Sequence, residues 1–198
     1  MAEVKVLVEG YAKKTKDGWI ASSTTVLIRD MGKNIIVDPG SNEKLLLQRL
    51  FKEKLKPTDI GMIFLTHYHL DHLLNIRLFP HCDILDGGEV NRGDVSFSYS
   101  DKMPYKIPKT DIEVIYTPGH ANEHCSLLVK TDRGNVVIAG DLFWWRSNEK
   151  QKVDYKSLIK KSDEYLKDRK KLIESRKKVL KLADYIIPGH GKMFKVKK

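Results

Sequence analysis

Cysteine is scarce in this chain of 198 residues, which contains only Cys82 and Cys125. Two cysteines outside any metal-binding spacing exclude a disulfide-stapled scaffold and predict reduced thiols, as is usual in the cytosol. No apolar run approaches the roughly 20 residues that are needed to span a bilayer. The first residues also lack the charged and then apolar pattern of an export signal. The sequence therefore predicts a cytoplasmic protein with no membrane partner.

Linkers rich in glycine and serine are absent, as are low-complexity tracts. A chain of this length with 41% hydrophobic residues can bury one good core, so we predict that residues 1–198 form a single domain. Acidic residues are scarce only in the last quarter, where residues 146–198 hold 18 Lys and Arg against 7 Asp and Glu. This positive segment predicts either a solvated, lysine-rich helix surface or a surface for an anionic partner such as RNA.

The most informative feature that is present is a cluster of histidines. Four potential metal ligands, His67, His69, Asp71 and His72, follow the apolar run 61–65, which we predict to be a buried strand. A loop at the C-terminal end of a strand is where α/β proteins usually place chemistry. Imidazole and carboxylate groups together suit zinc, iron or manganese, whereas soft-metal sites need thiolates. The cluster therefore predicts a metal site.

Three more ligand candidates follow similar strand-to-loop transitions further along the chain. They are His120 after Thr-Pro-Gly, Asp141 after Ala-Gly, and His190 after Pro-Gly. Asp141 has two carboxylate oxygens and is the natural bridge between two ions. Each ion would keep a position open for water, as catalytic sites do. Two metal ions about 3.5–4 Å apart can activate a shared water and stabilise developing charge.

We assign the seven candidates to two sites by their spacing. The first site is predicted to contain His67, His69, His120 and Asp141, and the second Asp71, His72, His190 and the same Asp141. In an extended loop, residues two apart can converge on one ion, and residues one short turn later can reach a neighbouring position. The sequence therefore predicts a dinuclear centre.

The ordered set of motifs resembles the metallo-β-lactamase-fold hydrolases. The matching strings are His67-x-His69-x-Asp71-His72, Thr117-Pro118-Gly119-His120, Gly140-Asp141, Pro188-Gly189-His190-Gly191 and the early turn Asp38-Pro39-Gly40. The resemblance extends from about Val4 to His190. It implies an α/β fold that is a four-layer αββα sandwich, in which two mixed β-sheets face each other, helices lie outside and the metals lie at one edge.

The resemblance also implies a hydrolase with two divalent metal ions, for which zinc is favoured and iron or manganese is suited. A metal-bridging hydroxide would attack an ester, thioester, lactone or phosphodiester, and Asp71 would orient this nucleophile and take its proton. Tyr68 and His124 are candidates for substrate contact, and His124 could also serve as a leaving-group acid. Asp38 is predicted to hold the ligand loop in place.

Short strings outside the ligand set indicate the branch of the family. Asp141 stands where the principal zinc β-lactamases have cysteine, so antibiotic hydrolysis is disfavoured. Asp71-His72-x-x-Asn75, Leu78-Phe79-Pro80 and Gly140-Asp141-Leu142-Phe143 resemble small single-domain metallo-β-lactamase-domain-containing proteins, whose animal relatives are linked to histone pre-mRNA cleavage. A metal-dependent endoribonuclease is therefore one alternative to a hydrolase of small ester-type substrates. A non-catalytic nucleic-acid-binding module is a second alternative, against which the complete ligand set argues.

Residues 154–183 are predicted to form an amphipathic helix or helix pair that packs on the core or builds a homodimer interface. Their apolar pairs recur every seven residues, as Leu158-Ile159, Tyr165-Leu166, Leu172-Ile173 and Val179-Leu180. Four lysines on another face, Lys170, Lys171, Lys177 and Lys178, would attract a polyanion if they lay on the metal side. If they point away, a small acyl substrate is favoured.

Other elements are predicted from local patterns. Ile20–Arg29 is a β-rich run, Ser41 or Asn42 can cap a following helix, and Leu70–Leu78 can form a helix that Phe79-Pro80 terminates. Glycine and proline break residues 81–110 into short strands and loops, which we expect to line a substrate cleft.

Overall fold

The computed structural model describes residues 1–98 and 105–197. Its strands are β1 Glu3–Val8, β2 Tyr11–Lys14, β3 Trp19–Ser22, β4 Thr25–Asp30, β5 Lys33–Val37, β6 Met62–Phe64, β7 Asp83–Leu85, β8 Glu89–Arg92, β9 Val95–Ser98, β10 Tyr105–Lys106, β11 Glu113–Tyr116, β12 Cys125–Thr131, β13 Gly134–Trp144, β14 Tyr185–His190 and β15 Phe194–Lys195. Its α-helices are α1 Glu43–Lys52, α2 Leu70–Leu73, α3 Tyr155–Lys160 and α4 Arg169–Leu182. None of the described helices is both long and apolar enough to cross a membrane.

The strands form two mixed sheets and a separate hairpin. In the described ranges, the first sheet has the order β1-β4-β5-β6-β7-β8-β9 and the second the order β10-β11-β12-β13-β14-β15, while β2 pairs with β3. Strand β6 lies parallel to β5 and β7, and β14 lies parallel to β13. The site-bearing strands β6, β13 and β14 are therefore central or nearly central in their sheets.

Successive side chains of a strand point to opposite faces of the sheet, and because both faces are buried in the central strands, the sheets build four layers. Val26 and Ile28 of β4 point to the space between the sheets, where they meet Leu127 of β12. Leu27 points the other way and packs with Leu46 of α1. Helices α3 and α4 cover the outer face of the second sheet in the same manner. The order helix, sheet, sheet, helix confirms the predicted αββα sandwich.

The predicted β-rich run Ile20–Arg29 is interrupted, so that β3 and β4 belong to different sheets. The break falls at Ser23 and Thr24, whose backbone N–H groups donate to the carbonyl oxygens of Asp71 (2.9 Å) and Gly189 (2.6 Å) instead of to a strand. These bonds fix two ligand-bearing loops against the same short segment. Propensity alone missed this because Ser and Thr are as compatible with a strand as with such a crossing.

The basic segment 154–183 is a helix pair rather than one continuous helix. Residues 161–168 separate α3 from α4, and the predicted apolar pair Tyr165-Leu166 lies in this connection. The Asp168 side chain caps α4 by accepting a bond from Lys171 N (3.0 Å). Backbone N–H groups of Lys167 and Asp168 donate to the carbonyl oxygen of Gly119, which ties the connection to the loop before His120.

Two smaller predictions have mixed outcomes. Asn42 is confirmed as the cap of α1, since its side chain accepts a bond from Leu45 N (3.1 Å). The predicted helix Leu70–Leu78 is α-helical only in its first turn and continues as a 3₁₀-helix over Leu74–Leu78. Part of the predicted irregular stretch 81–110, namely residues 99–104, lies outside the described residues.

Candidate metal centre

The structure brings all seven predicted ligand residues together in two adjacent groups. The first group is His67, His69, His120 and Asp141, and the second group is Asp71, His72 and His190. Within each group the potential ligand atoms all lie within 4.8 Å of one another. The membership of the two groups matches the division that spacing predicted, with Asp141 between them.

Asp141 faces both groups, one carboxylate oxygen to each. Its Oδ2 lies 3.3 Å from His120 Nε2 and 3.8 Å from His67 Nε2. Its Oδ1 lies 3.4 Å from His72 Nε2 and 3.6 Å from His190 Nε2. This is the arrangement that a bridging carboxylate requires.

Asp141 lies within a strand, whereas the sequence predicted that it follows a strand in a loop, and this prediction was wrong. It lies inside β13, where the pairing with β14 shifts register on either side of Gly140. Gly140 has a φ of 49°, and a Cβ atom there would lie 2.7 Å from His124 Nε2 and 2.8 Å from Thr66 Oγ1. The irregularity at glycine turns the Asp141 carboxylate into the site, as β-bulges near active sites do.

Two of the histidine rings are held from behind by Asp38 and Thr66. The Asp38 Oδ2 lies 2.8 Å from His72 Nδ1 and accepts a 2.7 Å bond from Thr66 Oγ1, while Asp38 Oδ1 accepts from Thr66 N (2.9 Å). Because the Thr66 hydroxyl donates to Asp38, it accepts from His67 Nδ1 at 3.0 Å. Both rings therefore hold a proton on Nδ1 and direct Nε2 toward the centre. Asp38 thus takes the position predicted for it.

Asp163 holds the His120 ring in the same way, and sequence reasoning missed it. Its Oδ2 lies 2.7 Å from His120 Nδ1, and its Oδ1 accepts a bond from Tyr165 N (2.9 Å). The side chain is fully buried. One signal in the sequence could have pointed to Asp163. Asp168 is a residue type that often caps a helix, so it predicts that a helix begins there and that a loop, in which a buried acid can occur, precedes it.

The donor set fits divalent metal ions. His67 Nε2, His72 Nε2 and Asp141 Oδ1 are buried and, within the described chain, have no hydrogen-bond partner. His120 Nε2 and His69 Nδ1 face each other at 3.0 Å. Donor atoms about 2.0–2.1 Å from a tetrahedral ion lie roughly 3.3 Å from one another, which agrees with these separations. Buried polar atoms without partners are costly, so a cation would stabilise this cluster.

Burial and neighbouring charges set the protonation states of the ligand candidates. Burial lowers the pKa of His67 well below its ordinary value, and burial likewise lowers the pKa of His69. Burial by itself would raise the pKa of Asp141, but the neighbouring His72 and His190 outweigh it and hold that pKa well below the usual range. Burial alone would lower the pKa of His72, but Asp141 and Asp38 outweigh it and raise that pKa well above its ordinary value. The first group therefore offers neutral His67 and His69 beside an ionised Asp141, which are the protonation states that bind metal, whereas a metal ion at the second group must displace a proton from His72.

The two predicted substrate-contact candidates lie apart from the open side of the centre. Tyr68 is half-exposed and donates its hydroxyl to Asp86. His124 is fully buried, with Nδ1 3.0 Å from Thr117 Oγ1 and its ring 5.1 Å from that of His67. Burial lowers the pKa of His124 to about 3, so this ring stays neutral and supports the His67 side of the centre. Neither residue is among those that line the cavity at the centre.

A cavity of about 540 Å³ opens onto both groups. Its walls include Trp19 of β3, Trp144 at the end of β13, and Tyr165 of the connection 161–168. Residues 81–110 were expected to line a cleft, but none of residues 81–98 and 105–110 borders this cavity. For these residues the expectation was wrong, because 81–98 form the far strands of the first sheet, whereas the hairpin β2–β3 reaches the centre.

Replacement of Asp163 by asparagine is expected to weaken metal binding by the first group about 10- to 100-fold, the usual cost of losing a carboxylate behind a metal-binding histidine. The measurement is a competition titration of the metal-free protein with a chromophoric chelator, which resolves two binding steps. Only one step should weaken, since Asp163 contacts no residue of the second group through a hydrogen bond within the described ranges.

The matched control is Asp132→Asn, in the exposed turn between β12 and β13. It should leave both binding steps unchanged. Equal affinities for Asp163→Asn and the unaltered protein would show that the 2.7 Å contact with His120 does not position the ring.

The family model of the metallo-beta-lactamase superfamily matches residues 18–81. The chain is 36% identical over 200 residues to the metallo-beta-lactamase domain-containing protein 1 of Xenopus laevis, across 98% of this chain and 81% of that protein. It is 30% identical over 168 residues to a Methanocaldococcus jannaschii protein named "Probable metallo-hydrolase MJ0296", across 82% of this chain and 74% of that protein.

A solved structure from Thermotoga maritima superposes with a TM-score of 0.74 at 22% identity, across 98% of this chain and 99% of that one. The superposition supports the fold alone, because identity at this level carries no function.

Proposed function

The chain belongs to the metallo-beta-lactamase superfamily, and on this premise we propose that it is a hydrolase that uses two divalent metal ions to cleave a small ester, thioester or lactone. Zinc is the proposed metal, because four of the five histidines in the two groups are largely buried and imidazole-rich tetrahedral sets suit it. Iron and manganese accept the same ligands. The homodimer that the helical segment suggested stays a prediction.

The single observation that carries the proposal is the convergence of seven ligand-type residues on one open cavity. A purely structural metal site has a closed shell, whereas here His69, Asp71, Asp141 and His190 all border the cavity. A vestigial site, as the binding-module alternative requires, would have lost some of the set. When bound, two divalent ions would lower the pKa of a water between them and stabilise negative charge on a carbonyl oxygen.

Asp71 is the residue we assign to proton transfer. Its Oδ2 lies 3.2 Å from His190 Nε2, and its side chain is 26% exposed and borders the cavity. Burial alone would raise the pKa of Asp71, but the hydrogen bond from His190 outweighs it and lowers that pKa. An ionised carboxylate at the floor of an open cavity can orient a water and accept its proton, and then return the proton to the leaving oxygen or sulfur.

The charge distribution favours a small acyl substrate over RNA. Among the described residues that line the cavity there is no lysine or arginine. The five lysines of α4 do not border it either. One of them, Lys178, instead donates to the carbonyl oxygen of Tyr116 at 3.3 Å. A polyanion would need further cationic contacts beside the metals. A neutral ester-type substrate needs none.

The test is a parallel activity screen of metal-loaded protein with a thioester, a lactone, bis-p-nitrophenyl phosphate and a structured single-stranded RNA. We expect turnover of at least one carbonyl substrate that requires added metal. In the same screen, the variant with Lys170, Lys171, Lys177 and Lys178 changed to glutamine should keep the activity of the unaltered protein toward that substrate, because none of the four residues borders the cavity.

Cleavage of RNA alone, with a steep loss of RNA affinity in the glutamine variant, would favour the endoribonuclease instead. Absence of metal-dependent turnover on every substrate, together with less than about one bound ion per chain after reconstitution, would remove the proposed dinuclear hydrolase.

A further inference from the structure

We propose that the substrate carries a compact apolar acyl group, which Trp19, Trp144, Tyr165, Leu70 and Leu74 hold beside the candidate metal centre. The inference rests on the proposed hydrolase function and names the part of the substrate that this chain selects. In the reaction, water adds to the acyl carbon, the bond from that carbon to oxygen or sulfur breaks, and a carboxylic acid and an alcohol or thiol are released.

Three aromatic rings form one wall of the cavity. The ring of Trp144 lies 6.3 Å from Trp19 and 6.0 Å from Tyr165, and Trp19 lies 6.4 Å from Tyr165. Tyr165 continues the wall to the first group, 5.9 Å from the ring of His69, and Trp144 continues it to the second, 6.4 Å from that of His190. An acyl chain that lies on this wall therefore has its carbonyl carbon near both groups.

Part of the cavity lining is aliphatic. Leu70 and Leu74 flank Asp71 and border the cavity, yet 66% and 47% of their surfaces are exposed. Exposed leucines at the mouth of a site are expected where an apolar ligand covers them. Ser41 is the one serine among the described residues that line the cavity. Its hydroxyl already donates to the carbonyl oxygen of Ala21 at 2.6 Å.

Cations near the aromatic wall lie outside the cavity. Lys14 Nζ lies 5.9 Å and Arg146 Cζ 5.7 Å from the ring of Trp19, and Lys161 Nζ lies 5.8 Å from the ring of Trp144. None of the three borders the cavity.

Two of these cations are also paired with carboxylates. Arg146 contacts Glu164, and Lys161 Nζ lies 2.7 Å from Glu149 Oε1. The carboxylates largely balance the charges of these two cations, so the cavity presents neutral ring surface rather than a site for an anionic acyl group.

The volume sets the size of the acyl group. A cavity of about 540 Å³ is in the range of small-molecule sites, roughly 300–1,000 Å³. A medium-length alkyl chain or a single aryl ring fits within this volume together with the leaving group, while an acetyl group leaves most of the aromatic wall uncovered. Each additional methylene in an apolar pocket improves discrimination about tenfold or more.

The test compares acetyl, hexanoyl and phenylacetyl thioesters of one common thiol on metal-loaded protein. The kcat/KM for hexanoyl or phenylacetyl should exceed that for acetyl by at least about tenfold. Trp19→Ala and Tyr165→Ala should reduce this ratio about tenfold, and Tyr165→Phe should keep it because the ring remains. The control is Tyr155→Ala, an exposed tyrosine of α3 that does not border the cavity. It should leave the ratio unchanged.

Binding of the product hexanoate, followed by calorimetry with metal-loaded protein, separates this inference from the proposed function. No turnover of any ester, thioester or lactone, with hexanoate binding that Trp19→Ala weakens, removes the proposed function and supports the apolar site. Turnover with equal kcat/KM for all three thioesters leaves the function in place and overturns the inference. Loss of RNA binding in Trp19→Ala without any acyl preference also overturns it, because the rings would then stack nucleobases.

Discussion

Alanine in place of Asp141 is expected to reduce kcat/KM by at least about a thousandfold, because charge stabilisation by a metal centre is worth several kcal/mol. One carboxylate oxygen faces His120 and His67, and the other faces His72 and His190, so the change removes a ligand from both groups at once. Metal analysis after reconstitution should show a fall from about two ions per chain to about one or fewer.

The fold should survive this change when metal is absent. Asp141 lies in β13, whose backbone pairing with β14 does not depend on the carboxylate. Circular dichroism of the metal-free variant checks this point. Asp132→Ala, in the exposed turn at the other end of the same strand, is the matched control and should keep both metals and full turnover. Two tightly bound ions in Asp141→Ala would contradict the bridging role.

Asparagine in place of Asp71 is expected to lower kcat by about a hundred- to ten-thousandfold while the first group keeps its metal, because the amide cannot accept a proton. The amide side chain has nearly the volume of the carboxylate that it replaces, so the cavity should keep its shape. Stopped-flow or steady-state assays give kcat, and metal analysis gives the occupancy. The separation of the two readouts distinguishes Asp71 from Asp141, for which both should collapse.

The same substitution discriminates an enzyme from a nucleic-acid-binding module. An enzyme loses turnover and keeps its fold, whereas a binding module keeps its whole activity. Asp86→Asn is a suitable control, since Asp86 accepts the hydroxyl of Tyr68 but borders no part of the cavity. Unchanged kcat in Asp71→Asn would remove this carboxylate from the reaction and leave proton transfer to the metals and water.

Local chemistry made the ligand set readable from the sequence. His67, His69 and His72 follow a short apolar strand, and the other three motifs carry glycine beside the ligand. Glycine is informative there because the backbone needs a conformation or a close approach that a Cβ would block. At Gly119, for instance, a Cβ would lie 2.2 Å from Leu172 N. Continuous apolar runs such as residues 61–65 predicted buried strands. The αββα layers were implied by the resemblance of the ordered motifs to the metallo-β-lactamase fold.

The groups that complete the site were decided by tertiary structure. Asp163 and Tyr165 come from a stretch whose repeating apolar pairs predict helix, and Trp19 comes from a hairpin far from any ligand motif. The periodicity of apolar residues indicates which face of a helix or strand is buried. It does not indicate which residues of other segments pack against that face. The 2.7 Å contact of Asp163 with His120 joins residues 43 apart in the chain. The sequence by itself identified the candidate ligand residues, since their motifs are local, and the layered fold followed from the family resemblance that these motifs carry. Only the packing of α3, α4 and the β2–β3 hairpin on the sheets decided which side chains hold the histidines and line the cavity, since those contacts exist only once distant segments meet.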